Sequence, residues 1–343
     1  MSLLKTKLKQ NYHLRTIACY IGIPIAKRLF RRKMKKQLKI FILLYHKVAP
    51  TAVPYFGGAV HPKYFRRHVN MLASHYNVIA LEDLSKFSHH SNGKDTAIIT
   101  FDDGDYSVYQ WAFPILKQFD LPATVFLATD FVGSQKLLWP DYLAWLLYAA
   151  DSKKKDHSLK NFLEELAHDS LRDDFQRFFD SSGDQPARIE SLRRLGSQLK
   201  HFSSDQQRDL FDSLVRLFRI HVPRRFFGAV VSWEHVREMA AAGIRFGAHT
   251  MSHCLLTLSR ESDVLREVSG SKREIEDQLQ QPVTTFAYPY GKAEDFNLET
   301  IDQVRRCGFE FACTAIRGDE SLPIENRLAL KRRAVDNMPC LIL

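Results

Sequence analysis

A short β-branched run, Ala97-Ile98-Ile99-Thr100-Phe101, stops at Asp102-Asp103-Gly104, and this junction constrains the chain more than any other feature. Such a run without helical spacing reads as a buried strand. Asp102 and Asp103 then stand where a rigid strand meets its loop. Neighbouring residues leaving a strand point in different directions, so one carboxylate can ligate a cation while the other faces a reacting group. Roughly 145 residues later a second strand-like run, Ile244-Arg245-Phe246-Gly247-Ala248, leads into His249-Thr250-Met251-Ser252-His253.

Each segment has a plain reading when taken alone. Asp-Asp-Gly is a common turn with Gly104 at positive φ, and His-x-x-x-His is a common pair on a helix surface. Together, each behind a strand, they point to a metal site. If Thr250 or Ser252 opens a helix, His249 and His253 lie one turn apart with both rings on one side. With Asp103 they form a His-His-Asp set that leaves coordination positions open for water and substrate.

A third segment, Phe286-Ala287-Tyr288-Pro289-Tyr290-Gly291, completes an ordered series. Thr100-Phe101-Asp102-Asp103-Gly104, the His249 to His253 segment and this one resemble the first three motifs of the polysaccharide deacetylase family, also called the NodB-homology or carbohydrate esterase family 4 group. The resemblance runs from about Leu38 to the C-terminus with one insertion. It implies an α/β fold, a distorted (β/α) barrel with fewer strands than the common eightfold one, and a divalent metal, usually Zn2+. The implied activity is hydrolysis of N-acetyl groups on amino sugars. Asp103, His249 and His253 would hold the metal, Asp102 would be the general base toward the attacking water, and a backbone N–H at Tyr290 would help stabilise the oxyanion. By itself, Tyr-Pro-Tyr-Gly is also a proline-led turn with Gly291 at positive φ.

The sequence departs from the family pattern in two places. Many members carry an arginine in the third motif that orients the catalytic aspartate, and the matching position here is Ala287. Leu328 to Val335 has strand-like alternation, and Arg332 within it is the candidate replacement, with plain surface charge as the competing reading. The family's C-terminal general-acid histidine, expected after a strand of alternating Leu and Ile, has no counterpart beyond Tyr290. Leu38 to His46 has that character at the opposite end of the chain. First and last strands of a closed barrel are neighbours, so His46 is the candidate general acid that protonates the departing amine, against a buried structural histidine. The remaining histidines, including His61, His68, His89, His90, His201 and His221, lack a partner pattern and are expected to face solvent.

With 343 residues, 45% of them apolar, the chain can bury a sizeable core. Five cysteines, at 19, 254, 307, 313 and 340, contain no C-x-x-C pair, which argues against a disulfide framework or a thiolate zinc site and fits a reducing compartment. The net charge of +10 is uneven: Met1 to Leu81 holds 16 Lys or Arg and no acid, whereas the rest holds 33 basic against 39 acidic residues. Thr16 to Ala26 is apolar and lies between basic flanks, the second being Lys27 to Lys36. About 20 apolar residues are needed to cross a bilayer, so residues 1–36 read as a basic segment for peripheral contact with an anionic membrane face, each basic residue adding about 1 kcal/mol there. A secretory signal lacks a small-x-small cleavage site here, a nucleic-acid arm lacks any reading motif, and a solvated tail is the plain alternative. The expected location is cytoplasmic, at the inner face of the plasma membrane, with no nucleic-acid partner.

Residues 37–343 are expected to form the barrel. Phe65, Val69 and Leu72 indicate an amphipathic helix, Val78 to Leu81 and Leu121 to Ala128 strands. From about 134 to 231 the texture turns helical: Trp139 to Tyr148 is apolar, Leu159 to Leu166 and Ile189 to Leu199 are amphipathic, and Leu210, Leu214, Leu217 and Phe218 recur at helical spacing. Trp139, Tyr142 and Trp145 in this insertion line a cleft or pack a helical core. Ser232 is the expected N-cap of a helix from Trp233 to Ala241 that Gly243 ends. Three functions remain: a metal-dependent deacetylase acting on an N-acetylated glycan or lipid-linked saccharide, an amidohydrolase of another small acylated amine or formylated sugar, and a glycan-binding module without turnover.

Overall fold

The computed structural model describes residues 38–50, 59–86, 93–134, 136–152, 156–166, 168–224, 226, 229–335, 337–341 and 343. Seven strands build the core: β1 (Lys39–Tyr45), β2 (Thr96–Phe101), β3 (Thr124–Leu127), β4 (Arg245–Ala248), β5 (Thr285–Ala287), β6 (Phe311–Arg317) and β7 (Leu330–Ala334). Each pairs in parallel with the next, and β1 pairs with both β2 and β7, which closes the sheet into a barrel. β1 and β2 share the longest register, from Ile40 opposite Thr96 to Tyr45 opposite Phe101. β7 is joined to β1 through Leu43 opposite Arg333 and Leu44 opposite Ala334. The N-terminal strand therefore sits between the last strand and the one carrying the acid pair.

Strand alternation decides what reaches the barrel interior. Ile40, Ile42, Ile98, Phe126, Ala287, Phe311, Cys313 and Leu330 form one buried cluster inside the barrel. Leu43, Tyr45, Ala97, Ile99, Phe101, Val125, Leu127, Phe246, Ala248, Phe286 and Ala312 point the other way, into the layer between barrel and helices. Continuing each inward row by steps of two brings His46, Thr100, Asp102, His249 and Arg332 to the C-terminal mouth. Gly247 lies on an inward row too, where an added Cβ would approach Phe126 to 2.6 Å and the Thr285 hydroxyl to 2.5 Å. The lower interior is thus apolar and close-packed, and its upper layer is polar.

Five helices flank the barrel strands: α1 (Pro62–His75), α2 (Phe113–Phe119), and, after an insertion described next, α8 (Trp233–Ala241), α9 (Glu261–Leu279) and α10 (Leu298–Arg306). α1 buries Phe65, His68, Val69 and Leu72 on one face. α8 begins at Ser232, whose side chain caps the His235 N–H, and Gly243 follows at φ 93°. Between β3 and β4 stand α3 (Trp139–Asp151), α4 (Asp156–Glu165), α5 (Asp169–Asp180), α6 (Gln185–Leu199) and α7 (Ser204–Phe218). They bury a core of their own around Phe162, Phe175, Phe178, Phe179, Leu195 and Leu214. α5 was not foreseen, although Leu171, Phe175, Phe178 and Phe179 recur at helical spacing within its strongly charged stretch, DSLRDDFQRFFD, and form its buried face.

Several expectations need correction. The strand expected at Val78 to Leu81 is shorter and begins one residue earlier: it spans Asn77–Val78, the Ile79 N–H makes the last bond to β2 at the Ala97 carbonyl, and the chain then turns into a 3₁₀ helix at Glu82–Ser85. Cys340 is disulfide-bonded, while Cys254, Cys307 and Cys313 are free; sequence spacing does not reveal which thiols a fold brings within bonding distance. The basic segment 1–36, Cys19, His89 and His90 lie outside the described residues. Among the described residues no helix is long and apolar enough to cross a membrane.

His68 does not face solvent. It is fully buried, with Nδ1 3.2 Å from the Tyr45 hydroxyl and Nε2 donating to the Met338 carbonyl at 2.7 Å. A histidine six residues into an amphipathic helix that starts at Pro62 looks exposed by polarity, and only its tertiary partners offset the cost of its burial. Burial pushes its pKa down to about 4, against the pull of the Met338 carbonyl. The unfolded chain then binds the extra proton first, so stability from neutral His68 is complete above about pH 6.5 and falls as the pH drops toward 4, by at most about 1.4 kcal/mol per pH unit. His68→Gln should cost stability at pH 7 and lose that cost progressively by pH 4. Parallel urea curves at each pH check this, and a constant difference between the two proteins would refute it.

Candidate active site

The acid pair divides at the end of β2 as the strand geometry requires. Asp102 continues the inward row and is 4% exposed. Arg332, on the inward row of β7 and 1% exposed, grips it with two parallel bonds: Nη1 to Oδ1 and Nη2 to Oδ2, both 2.7 Å. The rest of the guanidinium is held in turn, Nε by the Thr314 carbonyl at 2.7 Å and Nη1 by the Thr100 hydroxyl at 3.2 Å. This is a fork-to-fork pair, which fixes orientation as well as charge. Burial alone would raise the Asp102 carboxyl, but the Arg332 charge and its hydrogen bonds outweigh that and leave it below the usual carboxylate range. Asp102 is therefore ionised, aimed, and still has lone pairs to accept a proton. Ala287, the position where an arginine was sought, is a buried inward residue of β5.

Asp103 turns away from that row in left-handed backbone at φ 73°. Its Oδ1 lies 3.4 Å from His249 Nε2 and 3.3 Å from His253 Nε2. These separations exceed ordinary N–H···O bonds, and Oδ1 is a buried acceptor without a hydrogen-bond partner. The three ligand atoms lie within 4.8 Å of one another. His249 Nδ1 is 2.7 Å from the Ala287 carbonyl; a carbonyl can only accept, so Nδ1 carries the proton and Nε2 presents its lone pair. An orphaned carboxylate oxygen facing two imidazole nitrogens is the donor set of a divalent cation, and the residues fit that group. Among the described residues this is the one such cluster.

No helix joins the two histidines. The chain from His249 to Leu255 is irregular, and Thr250 and His253 both adopt left-handed backbone, at φ 64° and 58°. A helix would carry the chain up and out of the mouth, whereas these two reversals fold it back so that the rings meet at a centroid distance of 5.0 Å. Tyr290 is left-handed as well, at φ 62°. Non-glycine residues in this region cost on the order of 1–3 kcal/mol each and gather at functional sites. Four of them, Asp103, Thr250, His253 and Tyr290, surround one point.

Tyr290 packs its ring against His253 at 4.9 Å, and its hydroxyl accepts a bond from Trp139 Nε1 at 2.7 Å. Gly291 follows at φ 65°, where a Cβ would come within 2.6 Å of the Ala315 nitrogen, so the turn after Tyr290 requires glycine. His46 follows β1 at the mouth, half-buried beside Asp102, whose N–H bonds the Tyr45 carbonyl at 3.0 Å.

The insertion is fastened to this rim rather than set apart from it. Trp139 reaches Tyr290, while Tyr142 and Trp145 pack toward the insertion core. Lys47, next to His46, is buried between Asp141 at 2.5 Å and Asp105 at 3.2 Å. Burial pushes Asp141 up to about 6 despite the Lys47 charge. Lys200 of the α6 end is buried against Asp295 in the loop after Tyr290. Sequence reading missed Lys47, Asp105, Asp141 and Lys200. Lys47 and Asp105 adjoin candidate site residues in sequence but Asp141 and Lys200 do not, and the Lys47–Asp141 and Lys200–Asp295 pairs join segments 94 and 95 residues apart.

Comparison with known proteins agrees with this geometry. The family model for polysaccharide deacetylase matches residues 89–177 and 206–312, more than half of the chain, leaving out part of the insertion. A closed parallel barrel carries a His-His-Asp cluster at its mouth. The chain belongs to the polysaccharide deacetylase family. A poly-beta-1,6-N-acetyl-D-glucosamine N-deacetylase of Staphylococcus epidermidis is 35% identical over 72 residues, 20% of this chain and 25% of that protein. YxkH of Bacillus subtilis, named among the polysaccharide deacetylases, is 26% identical over 165 residues, 46% of this chain and 57% of that one. The chain thus spans between a quarter and three fifths of the length of these curated relatives. Among solved structures, the Streptococcus pyogenes deacetylase PplD in complex with acetate superposes with a TM-score of 0.55 at 18% identity, covering 88% of this chain and 94% of that one. IcaB from Ammonifex degensii gives 0.53 at 18%, covering 87% and 91%. At such identities the likeness concerns the fold.

Proposed function

We propose that this chain removes the N-acetyl group from an amino sugar of a glycan or lipid-linked saccharide and releases acetate. The observation that carries the reading is the buried, partnerless Asp103 Oδ1 facing His249 and His253 Nε2, beside an Asp102 aimed by Arg332. A divalent cation, Zn2+ by donor type, held by Asp103, His249 and His253 would polarise the acetamide carbonyl and lower the pKa of the attacking water to near 7. Asp102 takes the proton of that water. Its tie to Arg332 keeps it ionised and fixed in direction, so no reorganisation accompanies the transfer. The Tyr290 backbone N–H serves the developing oxyanion. His46, across the mouth from His249, gives a proton to the departing amine, a role that suits imidazole near neutral pH. Trp139 and Tyr290, joined by a hydrogen bond, form the wall that the insertion adds to the cleft.

The names of the relatives support an acetylated glycan as substrate: one acts on poly-beta-1,6-N-acetyl-D-glucosamine, and one solved structure holds acetate. The test is to incubate the zinc-loaded chain with N-acetylated oligosaccharides and glycolipids and to measure acetate and free amine together. Equal amounts of both are expected from at least one substrate. Full zinc occupancy with no acetate from any of them would overturn the reading.

A further inference from the structure

The two histidines are not held in the same way. His249 is oriented through its own ring, by the bond from Nδ1 to the Ala287 carbonyl. His253 Nδ1 is buried and has no hydrogen-bond partner. With only ring contacts from Tyr290 and His249 around it, its direction depends on the backbone beneath it, and that backbone is left-handed at Thr250 and at His253 itself. Something must hold the turn against that strain.

The holding group is Glu267 on α9, 9% exposed. Its Oε2 accepts from the Met251 and Ser252 N–H groups, both at 2.9 Å, and its Oε1 accepts from the Ser252 hydroxyl at 2.9 Å. On the other side, the Thr250 and Met251 carbonyls accept from the Thr129 and Asp130 N–H groups at 3.2 and 3.0 Å. One turn along the same face of α9, Gly270 leaves room for Met251, whose Sδ would lie 2.3 Å from an added Cβ. Bonds from backbone N–H to a carboxylate are about twice as strong as neutral ones. Two of them, with the Ser252 hydroxyl bond beside them, offset much of the cost of two left-handed residues.

We propose that Glu267 is a positioning residue for the metal site: its carboxylate locks the turn between His249 and His253 and thereby sets the direction of the His253 ring. The proposal rests on the reading of Asp103, His249 and His253 as metal ligands. Glu267 touches neither metal nor substrate and acts only through the turn.

Zinc affinity by competition titration and amide exchange of Met251 and Ser252 in the metal-free chain test it together. Glu267→Ala should lower zinc affinity by about 10- to 100-fold, the usual effect of losing a group that orients a ligand, and should deprotect both amides. Glu267→Gln retains an oxygen for the two N–H groups and can turn its amide toward Ser252, so it should restore most of the affinity. Gly270→Ala, which displaces Met251 without removing any polar group, should weaken zinc binding in the same direction. Unchanged affinity in Glu267→Ala with deprotected amides would reduce Glu267 to a structural role and overturn the proposal. No zinc uptake by the wild-type chain, with its amides protected, would instead sink the metal reading itself.

Discussion

Asp102→Asn is expected to retain zinc and to lose turnover by about 10²- to 10⁴-fold, the range for removal of a general base. His253→Ala is expected to lose zinc affinity together with activity. The contrast follows from geometry: Asp102 is turned into the barrel toward Arg332, and Asp103 toward the two imidazoles. Asparagine cannot accept from both arms of the guanidinium, so the variant will also be less stable, and rates must be referred to the folded fraction measured by circular dichroism. Zinc content by metal analysis after dialysis separates the two variants. Equal zinc loss in both would remove the division of labour between the adjacent acids.

Arg332→Met should produce the largest loss of stability at the site. It leaves the Asp102 carboxylate buried without its counter-charge, a change that typically costs about 3–5 kcal/mol. It also removes the influence that holds the Asp102 carboxyl below its usual range, so burial would raise that pKa and reduce the ionised fraction near neutrality. The double variant Asp102→Asn/Arg332→Met removes both charges. It should be more stable than Arg332→Met alone while remaining as inactive as Asp102→Asn. Urea denaturation of the four proteins gives the coupling energy. Additive losses would mean that the pair contributes no mutual stabilisation, contrary to its bidentate geometry.

Much of the barrel can be read from the order of residues because each strand must supply an inward row and an outward row. Ala97 to Phe101 and Ile244 to Ala248 are short, apolar and followed by polar side chains, so each announces a strand and the loop it feeds. The same logic placed His46 at the end of a strand neighbouring both β2 and β7, since closure of a ring makes the two chain ends adjacent. Arg332 was legible as a candidate to orient the catalytic aspartate, with surface charge as an equal alternative. That it meets Asp102 depends on β1 standing between β7 and β2 and on the depth at which the inward rows converge.

The histidine turn was misread because helical spacing and a doubly reversed turn both bring residues four apart to one side. The backbone energies of Thr250 and His253 disfavour the turn locally, and partners distant in sequence make it stable: Glu267, Thr129 and Asp130. His68 shows the same limit in reverse, a polar residue buried because Tyr45 and the Met338 carbonyl satisfy it.

What the order of amino acids determined by itself was the chemistry available: two adjacent carboxylates on a rigid strand end, two imidazoles four apart, and a barrel to carry them. What only the tertiary structure decided was which groups face one another, namely Arg332 against Asp102, Glu267 beneath the histidine turn, and Trp139 and Lys47 tying the insertion to the rim. The reason is physical. Strand and helix periods are local properties encoded residue by residue, whereas hydrogen bonds and charges across the mouth form between segments whose closeness exists only after the barrel has closed.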